Sequence, residues 1–462
     1  MSAGWERGNT AWHLLTLLLV FAVPRGAGAS FDSDRGWEIV SVEGRAFPAA
    51  FRVDIPRLTL WRMTDNGLQP MRFQIDERDR KGRLALPNGP KPSHDESPDV
   101  FDDNDLLVFT ARDLGGRAHV AGAAEIQVTD PITRTSRWAY LRLDAAPAHP
   151  GESAPSAAGA TPHVEGSAQR TAATRDVPGP SAAPQAPSDG VAYDDGTHVI
   201  RARDYSLTLG PHVPTGFSFA NGHHGYGRNL LDRLKARVTA QVFWGLLQFH
   251  RDEEDVTATL LAWKSGPVRV IQRTGLGVRL GYGLQPPKIV AEDFYTADFS
   301  ESPIIVRLPF DLRYVFGDLT VRIFLDFDDL HDARIFAAGQ APVPIGCDQP
   351  LPQVNGIATT WFGVTAADGT FIHALRVSPT LQALRSSLYA VADRTPDPPE
   401  RVPGNCPGVG YTLTEWSSMS HGTHRLNMVT RAFEHFTPGD EQAFLTSLQN
   451  PLMTTVGPPP SE

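Results

Sequence analysis

Cysteine is nearly absent from this chain. Cys347 and Cys406 are the two it has. Two thiols exclude a Cys₄ or Cys₂His₂ zinc module, an iron–sulfur site held by four cysteines and a dense disulfide scaffold. No C-x-x-C-H run offers covalent haem attachment. After the first thirty residues no apolar stretch reaches the roughly 20 residues that span a bilayer as a helix. An excess of positive charge is also missing: 42 Lys and Arg stand against 52 Asp and Glu, a formal charge of −10. A nucleic-acid binder needs a basic face to neutralise phosphates, so that class is excluded. Lysine is confined to Lys81, Lys91, Lys235, Lys264 and Lys288. The strong catalytic signatures are absent as well. There is no G-x-S-x-G elbow, no H-E-x-x-H, no P-loop and no G-x-G-x-x-G after a strand.

What is present begins with a leader. Arg7 precedes an apolar run, Leu14 to Val23, and Ala27-Gly28-Ala29 supplies the small-x-small pattern of signal-peptidase cleavage. Residues 1–29 read as a signal peptide, with cleavage before Ser30. Ten apolar residues are too few for the alternative, a membrane anchor. The expected location is periplasmic or secreted. In an oxidising compartment Cys347 and Cys406 are expected to pair. A loop of about 60 residues closed this way gains roughly 3–4 kcal/mol on the chain-entropy account.

The 462 residues suffice for about two or three domains with full cores. Residues 145–190 break the pattern. They are Ala, Pro, Ser and Gly with almost no large apolar side chain, the composition of a disordered linker. The linker separates a first module, 30–144, from a second, 191–462. The first reads as a small antiparallel β-sandwich. Residues 58–63 and 68–75 flank Asn66-Gly67, a hairpin turn. Period-2 runs follow at 106–111, 124–130 and 138–144. The second module reads as a larger β-sandwich, from runs at 238–250, 256–263, 268–273, 303–310 and 319–328. A hairpin about Asp368-Gly369 covers 361–377. Two helices are expected. One opens at Ser378-Pro379 and carries Leu381, Leu384 and Leu388 at helical spacing. The other spans Glu441 to Leu448. The fold class is mostly β.

Within the second module, Trp263-Lys264-Ser265-Gly266-Pro267-Val268-Arg269-Val270 resembles a strand–turn–strand segment of galactose-mutarotase-like β-supersandwich domains. Those domains occur in polysaccharide lyases and glycoside hydrolases. The likeness covers about ten residues, so it implies a fold; no catalytic residue is carried over from it.

Five polar constellations stand out. Asp95 to Asp105 places Asp99, Asp102, Asp103, Asn104 and Asp105 in one loop, a set of hard oxygens suited to Ca²⁺. The spacing is not that of an EF-hand, and the plain alternative is a solvated acidic turn. Asp326 and Asp328 share one face of a strand, about 6.6 Å apart along it. That separation suits a glycosidase acid/base pair, yet Arg322 on the same face can neutralise them. Asn221 to Asn229 is glycine-rich and carries His223, His224, Tyr226 and Arg228, candidates for proton transfer or ligand contact. Its alternative is an exposed loop. His250 to Asp255 reads as a charged turn. Tyr411 and Trp416, beside Glu415, His421 and His424, are candidates for a sugar-stacking platform, against ordinary core aromatics.

Two functions follow. The first is an exported, non-catalytic β-sandwich protein that binds glycan or an envelope protein. The second is a lyase or hydrolase built on the larger sandwich, with its base and cation in the His223–Arg228 loop.

Overall fold

A computed structural model of the chain describes residues 35–144, 190–210, 213–221, 225–242, 245–278, 289–328, 330, 332–347, 354–395 and 404–457. The signal peptide and the linker expected at 145–190 lie outside these residues, apart from Gly190. The architecture is mostly β, with a single α-helix among the described residues, Asp440–Gln449.

The first module packs a three-stranded sheet against a five-stranded one. The smaller sheet runs Ile39–Glu43, Leu106–Thr110, Gln74–Asp76. The larger orders Met453–Gly457, Ala124–Thr129, Ser136–Leu143, Leu58–Thr64, Gly67–Pro70. Alternating side chains such as Leu58 and Leu60, Ile126 and Val128, and Ala139 and Leu141 fill the core with Phe101, Leu107 and Phe109. The Asn66-Gly67 turn is present: Thr64 pairs with Gly67, which takes φ +94°, a conformation open to glycine. The last strand belongs to this module although it comes from the far end of the chain. Met453 to Gly457 pair antiparallel with Thr129 to Glu125. A buried arginine fixes the same junction. Arg35 is bonded to Glu38, lies 2.7 Å from Asp130 and donates to the Asn450 carbonyl at 2.6 Å.

The second module opposes a nine-stranded antiparallel sheet to a five-stranded one. The five strands are ordered Leu247–Arg251, Leu231–Val242, Phe316–Phe327, Asn405–Thr414, Arg385–Asp393. The run expected as one strand at 238–250 is two, turning at Gly245, whose φ is +87°. A four-stranded sheet, Val191–Asp194 to Pro214–Phe219, adds a third face to the same core. Cys347 and Cys406 form a disulfide, Cα to Cα 4.9 Å. The helix expected after Ser378 is corrected to one 3₁₀ turn, Pro379–Leu381, followed by strand Arg385–Asp393. Pairing with Asn405–Thr414, Leu388 opposite Tyr411, outweighs the local leucine spacing. The helix at 440–449 forms as expected. Its Phe444 packs with Trp37, Phe299 and Phe433 on the outer side of the nine-stranded sheet.

The Trp263–Val270 segment is where the two modules join. Gly266 leaves no room for a Cβ, which would run into the Gln74 amide. Gln74 Oε1 accepts from the amides of Val268 and Arg269, and Arg269 pairs with buried Asp76 at 2.7 Å. Lys264 donates to the Ile75 carbonyl at 2.6 Å.

Candidate functional site

The interior of the second sandwich is not filled. A cavity of about 430 Å³ lies between its sheets. That falls within the usual range for small-ligand sites and exceeds the roughly 150 Å³ that accommodates benzene. Two walls of different character flank it. The five-stranded sheet presents Leu234, Ala236, Ile323, Leu325, Phe327 and Val409, all apolar. Alternation along Phe316–Phe327 turns Ile323, Leu325 and Phe327 inward and Arg322, Phe324 and Asp326 outward. The nine-stranded sheet presents a polar stripe set among apolar side chains such as Leu260, Leu276, Ile304 and Met428. Strand register sets Gln272 opposite Asp293, Ser300 opposite Thr430, and Thr430 opposite His373. Ser302 completes the stripe with a hydrogen bond to Asp293. Tyr193, His198 and Tyr205 of the four-stranded sheet close one side, with Tyr193 Oη 3.0 Å from His198 Nδ1.

Electrostatics in this space are set by burial. Asp293 is half-buried, and what it exposes faces the cavity. Desolvation pushes its carboxyl up to about 6, and neighbouring Glu292 adds to that. No Lys or Arg is among the described residues that line the space. His373 is pushed down to about 4 by burial and is a neutral imidazole at physiological pH. Its Nδ1 lies 2.7 Å from Thr430 Oγ1. Tyr193 is pushed up to about 12, so it remains a phenol. The two titratable members of the stripe cannot act as a pair. Asp293 and His373 are three strand spacings apart in the sheet order, roughly 14 Å at about 4.8 Å per strand. A nucleophile–base–acid relay needs hydrogen-bond contact. The lining is suited to holding an amphipathic molecule.

The residues singled out from sequence fall elsewhere. His223 and His224 lie outside the described residues. Tyr226 donates to the Ala202 carbonyl at 2.8 Å, and burial raises its phenol. Arg228 is on the exterior, 2.8 Å from both Asp332 and Asp368. Neither residue reaches the cavity. Tyr411 and Trp416 are core side chains: Tyr411 donates to the His373 carbonyl and Trp416 to the Leu413 carbonyl. Their burial leaves no ring face for a sugar, which corrects the platform expectation. Asp326 is buried 3.0 Å from Lys235 Nζ, while Asp328 is exposed, so the pair is divided by environment. In the charged turn, Asp252 and Glu253 prove to be buried, and the Glu253 carboxyl is raised by desolvation.

The acidic loop is organised by its own backbone. Asp105 is fully buried and accepts from the amides of Arg78 and Asp102 at 2.9 Å each. Burial nonetheless pushes its carboxyl up to about 7. Asp102 accepts from the Asn104 amide, Asn104 donates to the Asp79 carbonyl, and the Asp99 amide donates to Glu77. Asp103 contributes its carbonyl to Arg45. No group of three or more His, Cys, Asp or Glu among the described residues is arranged to hold a metal ion.

Nothing in the sequence alone marked Asp293, Gln272 or His373. Each lies in an ordinary alternating strand, and the stripe exists only once the strands are in register.

No family model matches this chain, and no curated protein matches it. Solved structures similar to it include a glycosyl hydrolase family 38 protein from Enterococcus faecalis, at 11% identity and a TM-score of 0.46 over 93% of this chain. An α-mannosidase from Enterococcus faecalis V583 gives 10% identity and 0.44 over 92%. The chain spans 47% and 45% of these two. An Escherichia coli K12 protein provisionally assigned as an aldose 1-epimerase gives 12% identity and 0.30, covering 51% of this chain and 98% of its own. With every TM-score below 0.5, these likenesses assign no activity.

Proposed function

We propose that this is an exported, non-catalytic binding protein that encloses a small, largely apolar ligand inside its second sandwich. The observation that carries the reading is the cavity of about 430 Å³, with one wholly apolar sheet facing a stripe of polar side chains. Apolar walls supply burial free energy, about 25 cal/mol for each Å² removed from water. The stripe fixes orientation. The separation of Asp293 from His373 speaks against a relay. Export is supported by the leader pattern at Leu14–Ala29 and by the Cys347–Cys406 disulfide. The test is fluorescence of N-phenyl-1-naphthylamine, which brightens in apolar sites. Saturable brightening by the folded protein is expected, and Ala236→Trp, which fills the space, should abolish it with the far-UV spectrum unchanged. No brightening by the wild-type protein overturns the reading.

A second reading, association with or cleavage of a glycan, is supported by one exterior feature. Arg228 is bracketed by Asp332 and Asp368, next to the His223-His224 segment. Release of reducing ends from a polysaccharide panel, lost in Arg228→Ala, would favour it over the cavity.

A further inference from the structure

We infer that the cavity selects for the charge of its ligand's polar end: Asp293 anchors an ammonium or accepts a neutral hydroxyl, and carboxylates are excluded. This rests on the reading of the cavity as a ligand site. Three observations carry it. Asp293 is the one acid, and no Lys or Arg is present, among the described residues lining the space. Its partner on the stripe is a hydroxyl, Ser302, which leaves carboxyl oxygen capacity for a ligand. The opposite wall offers Leu234, Ala236, Ile323, Leu325 and Val409, with no side-chain dipole to stabilise an anion.

The energetic argument follows from burial. An ion moved from water into an apolar enclosure is strongly disfavoured unless it meets an opposite charge. A ligand ammonium meets one when Asp293 ionises, forming a charge-assisted hydrogen bond in a low dielectric. A ligand carboxylate meets no Lys or Arg among the described lining residues, and it forces Asp293 to stay protonated or to repel it. A hydroxyl needs no counter-charge and donates to the carboxyl or accepts from it. The remaining lining groups do not reverse this order. His373 is neutral and engaged with Thr430, and Tyr193 is a phenol beside His198.

The experiment displaces N-phenyl-1-naphthylamine at pH 8 with three ligands of one chain length, decylamine, decanol and decanoate, each below its micellar concentration. Decylamine and decanol are expected to compete, with decanoate weaker by about tenfold or more, the worth of about 1.4 kcal/mol. In Asp293→Asn, decylamine should lose about tenfold while decanol is unchanged. Asp328→Asn, an exposed acid outside the cavity, should alter none of the three. If the probe binds and decanoate competes as well as decylamine, the charge selection is wrong and the cavity reading survives. If decylamine keeps its affinity in Asp293→Asn, Asp293 is not the anchor. If the probe fails to bind the wild-type protein, the cavity reading falls first.

Discussion

Asp293→Asn should make the protein more stable at alkaline pH and leave it unchanged near pH 3, below the carboxyl's ordinary range. The side chain lies on the polar wall of the cavity, hydrogen-bonded to Ser302, and burial pushes its carboxyl from 3.8 to about 6. The folded state therefore binds this proton more tightly than the unfolded state. Its contribution to stability is complete below the unfolded pKa and disappears as pH rises through about 6. A roughly hundredfold tighter hold on the proton corresponds to about 3 kcal/mol, at about 1.4 kcal/mol for each factor of ten, so above pH 7 the native carboxylate is a liability of that order. Asparagine has the same shape and no charge. At pH 8 its melting temperature should exceed that of the wild type by about 6–12 °C, since 1 kcal/mol moves a domain of 150–250 residues by about 2–4 °C. At pH 3 the carboxyl is neutral in the folded and the unfolded wild type alike, and the two proteins should melt together. Circular dichroism melts at both pH values measure the difference. His373, pushed down to about 4, acts in the opposite sense below pH 6.5, but it is common to both proteins and cancels. Equal melting at pH 8, or a less stable variant there, would show that the carboxylate is solvated or paired, and the reasoning would fail.

Arg35→Ala should destabilise the first module by about 3–5 kcal/mol, because it leaves Glu38 and Asp130 buried without their cation. Limited proteolysis should then reach the chain near Asn450, whose carbonyl Arg35 holds. Asp326→Ala, which removes the carboxylate 3.0 Å from the fully buried Lys235 ammonium, should lower stability by a similar amount, read by urea denaturation. Breaking the Cys347–Cys406 bond in a double serine variant should lower stability by about 2–5 kcal/mol, and reductant should reproduce the loss in the wild type but add nothing to the variant.

Much of the architecture could be read from periodicity because single strands and turns are local objects. The hairpins at Asn66-Gly67 and Asp368-Gly369 and the helix at 440–449 are set within a few residues of each other, and they were legible. Leu381, Leu384 and Leu388 misled because their spacing suits a helix in isolation. The strand Asn405–Thr414 offers that segment a full ladder of partners, and the ladder prevails. The cavity was illegible for a different reason. Its polar stripe draws on Gln272, Asp293, Ser302, Thr430 and His373, from five strands spread over about 160 residues. Alternation says which face a residue occupies and nothing about its neighbour on the next strand. The acidic run 95–105 and the aromatics Tyr411 and Trp416 drew attention by composition. Yet backbone amides hold Asp105, and the core holds both rings.

The placement of Met453–Gly457 has a consequence for how the protein is made. A chain that emerges from a ribosome or a translocation channel does so in one direction, and the first module emerges first. Until its last strand arrives, the backbone of Ala124–Thr129 presents a row of unsatisfied donors and acceptors. Such an open margin invites pairing with another copy in the same condition. The hazard lasts for the synthesis of some three hundred intervening residues. Truncations ahead of residue 453 would make it permanent, so soluble yield should fall sharply when the end of the chain is trimmed, well away from the module that suffers.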